Sequence, residues 1–237
     1  MINRFFAGVF LASAVVVAPR VSSGQSTGRG ATPKGSPSTT AAQRRALLLD
    51  PTRPFWSTHA PASFTADIET SRGTITIELT REWAPHGVDR FYNLARAGYF
   101  DDSRFFRVVK GQWAQFGISG DPKVAARWRG RTIPDDPRGQ SVTRGRVAFA
   151  FAVPNGRTSQ IYISLRDNSY QDDQGFVPFG EVVEGMDVAD ALYSEYGENS
   201  GGGIRAGKQQ AMFEGGNAYL DREFPRLDRI IRAQVIP

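Results

Sequence analysis

The chain has no cysteine in its 237 residues. Disulfides, thiolate nucleophiles, cysteine metal sites and a lipidated cysteine anchor are therefore excluded, while the compartment is left open. Histidine is almost as scarce. His59 and His86 each lie near a proline in a turn-like setting and are read as lone histidines without carboxylate partners. Surface residues fit that better than metal ligands. Acidic residues are missing from positions 1–45, which hold six of the 29 Lys and Arg; over 46–237, 23 basic residues face 24 acidic ones. The net charge of +5 thus comes from the N-terminal stretch, and the folded part lacks the basic surface of a nucleic-acid binder.

Long apolar runs are also missing, apart from one. Phe5 to Ala18 is uncharged, follows Arg4 and leads into Ser22-Ser23-Gly24. A positive start, a short apolar run and a small-residue exit predict a secretory signal peptide over 1–24. The run is short for a bilayer span of roughly 20 residues; an uncleaved membrane anchor is the alternative. Residues 25–45 begin Ser/Thr/Gly/Pro-rich, with no side chain larger than Ala to bury up to Ala42, and are expected to be a disordered linker. A folded domain over 46–237 follows, expected as an exported, periplasmic or secreted monomer.

What is present is a strand pattern. Phe64, Ala66 and Ile68 alternate with polar residues, as do Ile75, Ile77 and Leu79 after Ser71-Arg72-Gly73, which predicts a hairpin. Val88, Phe91, Leu94 and Ala95 have helical spacing, and Gly98 stops the helix. Further short strands are expected at 105–109, 115–118, 146–152, 160–165, 179–183 and 229–236. Met186, Ala189, Leu192 and Tyr193 mark a second helix, and the Gly-rich stretch 196–216 reads as loop. Many short strands with two helices indicate an antiparallel barrel or sandwich.

Several constellations carry little chemistry. Gly202 to Lys208 approaches a phosphate-loop pattern, but Gln209 replaces the magnesium-binding hydroxyl. Asp135-Asp136 and Asp172-Asp173 lie in turn-rich stretches and are read as turn formers. The informative run is Phe105-Phe-Arg107-Val-Val109, followed by Gly111-Gln112-Trp113-Ala-Gln115. Alternation puts Phe105, Arg107 and Val109 on one strand face, so Arg107 is expected among apolar side chains. An arginine there is paired with a carboxylate or functional, because burying it alone is costly.

This run resembles the cyclophilin signature Phe-x-Arg-Val-x-x-Gly-Phe-Met-x-Gln-x-Gly. Two more similar segments follow in order: Ala150-Phe151-Ala152 through Ser159-Gln160-Ile-Tyr162-Ile163, and Phe176-Val-Pro178-Phe179-Gly180 through Gly185-Met186. The three segments fall between residues 105 and 186, and the resemblance is taken to cover roughly residues 64–236. The resemblance implies a closed eight-stranded antiparallel β-barrel capped by two α-helices, with cofactor-free isomerisation of X–Pro peptide bonds. It implies that Arg107 stabilises the twisted prolyl amide and that Gln115 holds the arginine. Ala150, Phe151 and Gln160 would line the peptide groove. Tyr162 stands where the family has a proline-pocket phenylalanine, and Phe176 where it has a groove histidine. The implied partners are proline-containing segments of unfolded or extended chains.

The pocket departs from the pattern. Gln112-Trp113 replaces Phe-Met, and Tyr170-Gln171 replaces Trp-Leu, so glutamines at 112 and 171 are expected in place of two apolar walls. Each lost ring contact weakens proline binding by about 1 kcal/mol. A weaker or differently selective isomerase that binds cyclosporin-like ligands poorly is expected; a proline-peptide-binding module with weak or no turnover is the alternative.

Overall fold

The structure is a computed structural model that describes residues 40–236; the expected leader and most of the expected linker lie outside them. The first element is helix α1, Ala41–Leu48, opened by a capping box between Thr40 and Gln43. Order thus begins ahead of the boundary placed at residue 46. Trp128 fixes the far end of α1, its indole N–H donating to the Leu48 carbonyl at 2.9 Å.

The hairpin forms as its alternation predicts. Strands β1, Ser63–Thr70, and β2, Gly73–Thr80, pair antiparallel with Thr70 opposite Gly73. Ala66, Ile68, Ile75, Ile77 and Leu79 are fully buried on one face. Helix α2, Pro85–Arg96, lays Val88, Phe91, Leu94 and Ala95 against that core. Its first turn is stabilised by Asp136, whose carboxylate accepts from the His86 and Gly87 amides at 2.7 and 2.9 Å. Asp135 points elsewhere, accepting from the Asn155 amide at 2.9 Å and from Arg157, so this acid pair is architectural. Asp172 likewise bonds Ser141 and the Val142 amide.

His59 does have a carboxylate partner. Its Nδ1 lies 2.7 Å from Asp89 Oδ2, thirty residues away on α2 and out of reach of a local reading. Burial raises the Asp89 pKa, but bonds from Arg81, His59 and the Ala60 amide outweigh it and bring the pKa down to about 2.

The remaining strands are β3, Arg107–Val109; β4, Trp113–Phe116; β5, Arg146–Phe149; β6, Ile161–Ser164; β7, Pro178–Glu184; and β8, Ile230–Ile236. All pairs are antiparallel, in the order β3-β4-β6-β5-β7-β2-β1-β8. The sheet curls into a half-barrel, and the closed barrel expected from the resemblance is not formed. Its two edges, β3 and β8, share no ladder and meet only at the bridge Arg104–Arg229, because β3 is three residues long. Phe91, Phe100, Phe105, Phe116, Phe149 and Phe179 fill the interior, each contributing roughly 1.5–3 kcal/mol by burial.

Among the described residues there are five α-helices rather than two. Helix α3, Pro122–Trp128, is capped by Asp121 and too short to show a period. Helix α4, Met186–Asp190, is the expected second helix. Helix α5, Gln210–Glu223, begins inside the stretch read as loop and kinks at Gly216, φ 54° and ψ −144°. The Gly215-Gly216 pair masks its apolar face, Met212, Phe213 and Leu220, which packs with Phe106, Ile118 and Ala125. None of the described helices is long and apolar enough to cross a membrane.

Gly117 is a backbone constraint beside Gln115 and Gln160. At φ +101°, a Cβ there would meet the Ser159 carbonyl at 2.2 Å. Gly117→Ala is expected to cost more than about 2 kcal/mol, from left-handed strain plus backbone collision. Urea unfolding checks this; an unchanged midpoint would contradict the close approach of these two segments.

Candidate active site

Directly opposed residues on neighbouring strands share a face of the sheet. Arg107 is opposite Gln115, Gln115 is opposite Tyr162, and Tyr162 is opposite Ala148. These four side chains therefore form one row across β3, β4, β6 and β5. Arg107, Gln115 and Tyr162 of this row form the floor of a cavity of ≈ 250 Å³, and Ala148 is buried behind it. Trp113, Phe176 and Ile204 pack beside Ala148, Ala150 and Tyr162 to make it apolar.

Arg107 does not share the face of Phe105, contrary to the alternation. Phe105 and Val108 both join the interior core, because the regular strand starts only at Arg107 and the chain turns over just before it. Arg107 consequently looks into the cavity. Its guanidinium lies 4.8 Å from the Trp113 ring centroid, a cation–π contact.

Both readings of this arginine apply at once. Its Nη1 donates to Gln115 Oε1 at 3.0 Å, while Nε and Nη2 donate to the two oxygens of Glu198 at 2.9 and 2.6 Å. The carboxylate partner is at the groove rim, with half of its side chain exposed, and not in the interior. The Arg107 bond, the Gly203 amide and the Lys208 charge hold the Glu198 carboxyl below its ordinary pKa, against the effect of burial. A guanidinium has five N–H donors; three are engaged here, leaving two.

Gln115 is the first of three buried amides. Its Nε2 donates to Gln160 Oε1 at 2.9 Å, Gln160 Nε2 donates to Gln209 Oε1 at 2.7 Å, and Gln209 Nε2 donates to the Gly202 carbonyl at 3.3 Å. Every link runs in one direction away from the charge, so the amide dipoles align with it.

Of the residues singled out in the sequence, Arg107, Trp113, Gln115, Ala150, Phe151, Tyr162, Tyr170, Gln171 and Phe176 line this cavity. Gln160 lines a neighbouring one of ≈ 220 Å³, and Ile204 stands between the two. Gln112 lines neither: it occupies the β3–β4 turn, where its carbonyl accepts from the Leu165 amide and Asn168 Nδ2. Gln171 is in the wall, accepting from the Tyr162 hydroxyl at 2.6 Å, and burial raises the Tyr162 pKa. Phe151 packs on Phe176 at 4.7 Å and under Arg157 at 4.3 Å. Sequence reading missed the lining residues Gly203, Ile204 and Gln174, and also Glu198 and Gln209, which bond Arg107 and Gln160; all but Gln174 come from the Gly-rich stretch, where no period distinguishes them. Among the described residues no cluster of His, Asp or Glu could hold a metal ion.

Known proteins resemble this chain in sequence and in fold. Residues 65–208 match the family model described as cyclophilin type peptidyl-prolyl cis-trans isomerase/CLD. The chain is 33% identical over 144 residues to peptidyl-prolyl cis-trans isomerase A of Dickeya dadantii, covering 56% of this chain and 73% of that protein. It is 30% identical over 132 residues to peptidyl-prolyl cis-trans isomerase B of Escherichia coli, covering 52% and 80%. A crystal structure of a Cryptosporidium parvum cyclophilin superimposes with TM-score 0.54 at 19% identity, covering 74% of this chain and 98% of that one. The same protein in the presence of the dipeptide Ala-Pro gives 0.53 at 20% identity, covering 73% and 99%. The match over the greater part of the folded residues places this chain in the cyclophilin family of peptidyl-prolyl cis-trans isomerases.

Proposed function

We propose that this cyclophilin accelerates proline-limited folding of exported chains, with Arg107 as the group that stabilises the twisted prolyl amide. The observation that carries the reading is a guanidinium with two uncommitted N–H donors at the edge of an apolar cavity. The prolyl ring enters between Trp113, Tyr162, Phe176 and Ile204. The preceding amide then lies against Arg107. A cyclophilin crystallised with Ala-Pro supports a prolyl peptide as the occupant.

The barrier to rotation is roughly 18–20 kcal/mol because amide resonance stiffens the C–N bond. Uncatalysed isomerisation takes tens to hundreds of seconds. As the bond twists, resonance is lost and the prolyl nitrogen gains a lone pair. A donor aimed at that nitrogen, or at the prolyl carbonyl, binds the twisted form better than either planar one. No bond is made or broken. An always-charged planar fork fits this task, and a lysine, with its donors on one rotating atom, does not.

Arg107→Ala is expected to lower kcat/KM on an X–Pro peptide by about 100-fold or more, and Arg107→Lys to recover little. A coupled cis/trans assay reads this, and equal rates for the native and Ala proteins would leave only a binding role. The Gln171 wall has its own signature. Gln171→Leu strands the Tyr162 hydroxyl, costing about 1–3 kcal/mol, and adding Tyr162→Phe restores most of that stability while lowering KM. With Tyr170-Gln171 in the pocket, cyclosporin is expected to inhibit poorly; ordinary inhibition would contradict the altered wall. Export is tested by fractionation and N-terminal sequencing, which are expected to find the mature protein outside the cytoplasm and starting near residue 25.

A further inference from the structure

The Gly-rich segment that follows α4 is tied to the active site at three points. Ser200, 1% exposed, donates through its hydroxyl to the Phe106 carbonyl at 2.6 Å, one residue before β3. Gln209, 6% exposed, receives the end of the amide chain from Gln160. Ile204 packs into the apolar floor between them. Gly203 passes so close to Arg107 that an added Cβ would lie 3.4 Å from Cζ. A segment bonded through buried groups on both sides is a wall of the groove rather than a mobile flap.

Glu198 lies at the start of this wall. It takes the Nε/Nη2 edge of Arg107 bidentately, the geometry that best fixes a guanidinium plane. Without it, Arg107 would be held by Gln115 through one nitrogen and by the Trp113 face, and the plane could still pivot about that bond. The carboxylate also sets negative charge near the reacting amide, which opposes catalysis. Water at the half-exposed Glu198 screens that field, whereas the loss of orientation would act undiluted on the donors.

We propose that Glu198 is a positioning residue for isomerisation: it fixes the plane of Arg107 so that the two remaining N–H groups meet the twisting amide. This rests on Arg107 being the catalytic group. Exchange NMR on a proline peptide, which needs no coupling protease, compares the native protein with Glu198→Ala, Glu198→Gln and Glu198→Asp, and with Glu195→Ala as a charge control on the same stretch. Urea unfolding of each variant separates loss of the fold from loss of the function.

The expected result is a fall in kcat of about tenfold for Glu198→Ala, with KM changed less than twofold, since the orientation matters in the transition state. Glu198→Gln, with one acceptor oxygen, falls between, and Glu195→Ala matches the native protein. The Glu198 pKa is lowered in the pair, so the pair persists above that pKa and is lost as pH falls through it. Native kcat therefore holds through the ordinary glutamate range and drops only at lower pH, while that of Glu198→Ala stays flat there. Native turnover with Glu198→Ala equal or faster would overturn the positioning role alone. A native protein without turnover would overturn the role of Arg107 as well.

Discussion

The site depends on a guanidinium that is held firmly and still left partly unsatisfied. A fully paired arginine in a cleft is structural, and an unpaired one is costly to keep there. Arg107 meets both demands by dividing its donors. One edge goes to Glu198, one N–H goes to Gln115, and two donors remain beside the apolar cavity. The Trp113 ring contacts the guanidinium at 4.8 Å without consuming a hydrogen bond.

That division is possible because the floor is a single cross-strand row. Arg107, Gln115, Tyr162 and Ala148 follow one another by strand pairing, so their spacing is set by the sheet and not by loop geometry. Gly117 lets the Ser159 carbonyl approach where a side chain would collide. This brings Gln160 within reach of Gln115. The backbone permissiveness of one residue thus has a direct consequence for the amide chain behind the arginine.

The sequence displayed most of this floor and little of the wall facing it. Strands β1 and β2 and helix α2 were legible because their burial repeats every two or every three to four residues. The floor residues were legible through the runs around Arg107, Gln160 and Phe176. The face of Arg107 was not, since alternation counted from Phe105 fails where the regular strand begins at residue 107. Gln112 and Gln171 looked equivalent in sequence, yet one serves a turn through its carbonyl and the other satisfies a buried phenol. Glu198, Ile204 and α5 lay in a stretch whose glycines hide any period. Their roles come from contacts distant along the chain, such as Glu198 to Arg107, 91 residues apart, which no local pattern encodes.

The same stretch also answers a problem created by the open sheet. β3 is an edge strand only three residues long, and a short exposed edge offers unpaired backbone groups to water or to another chain. Ser200 takes up the Phe106 carbonyl at the head of that edge, and Met212 and Phe213 of α5 cover the Phe106 ring. The segment that secures β3 is therefore also the one that delivers Glu198 and Ile204 to the groove. Edge protection and arginine orientation are consequently coupled. Loosening the segment would free the strand that carries Arg107 as well as the carboxylate bonded to it, so local stability at this edge and the orientation of the guanidinium must rise and fall together.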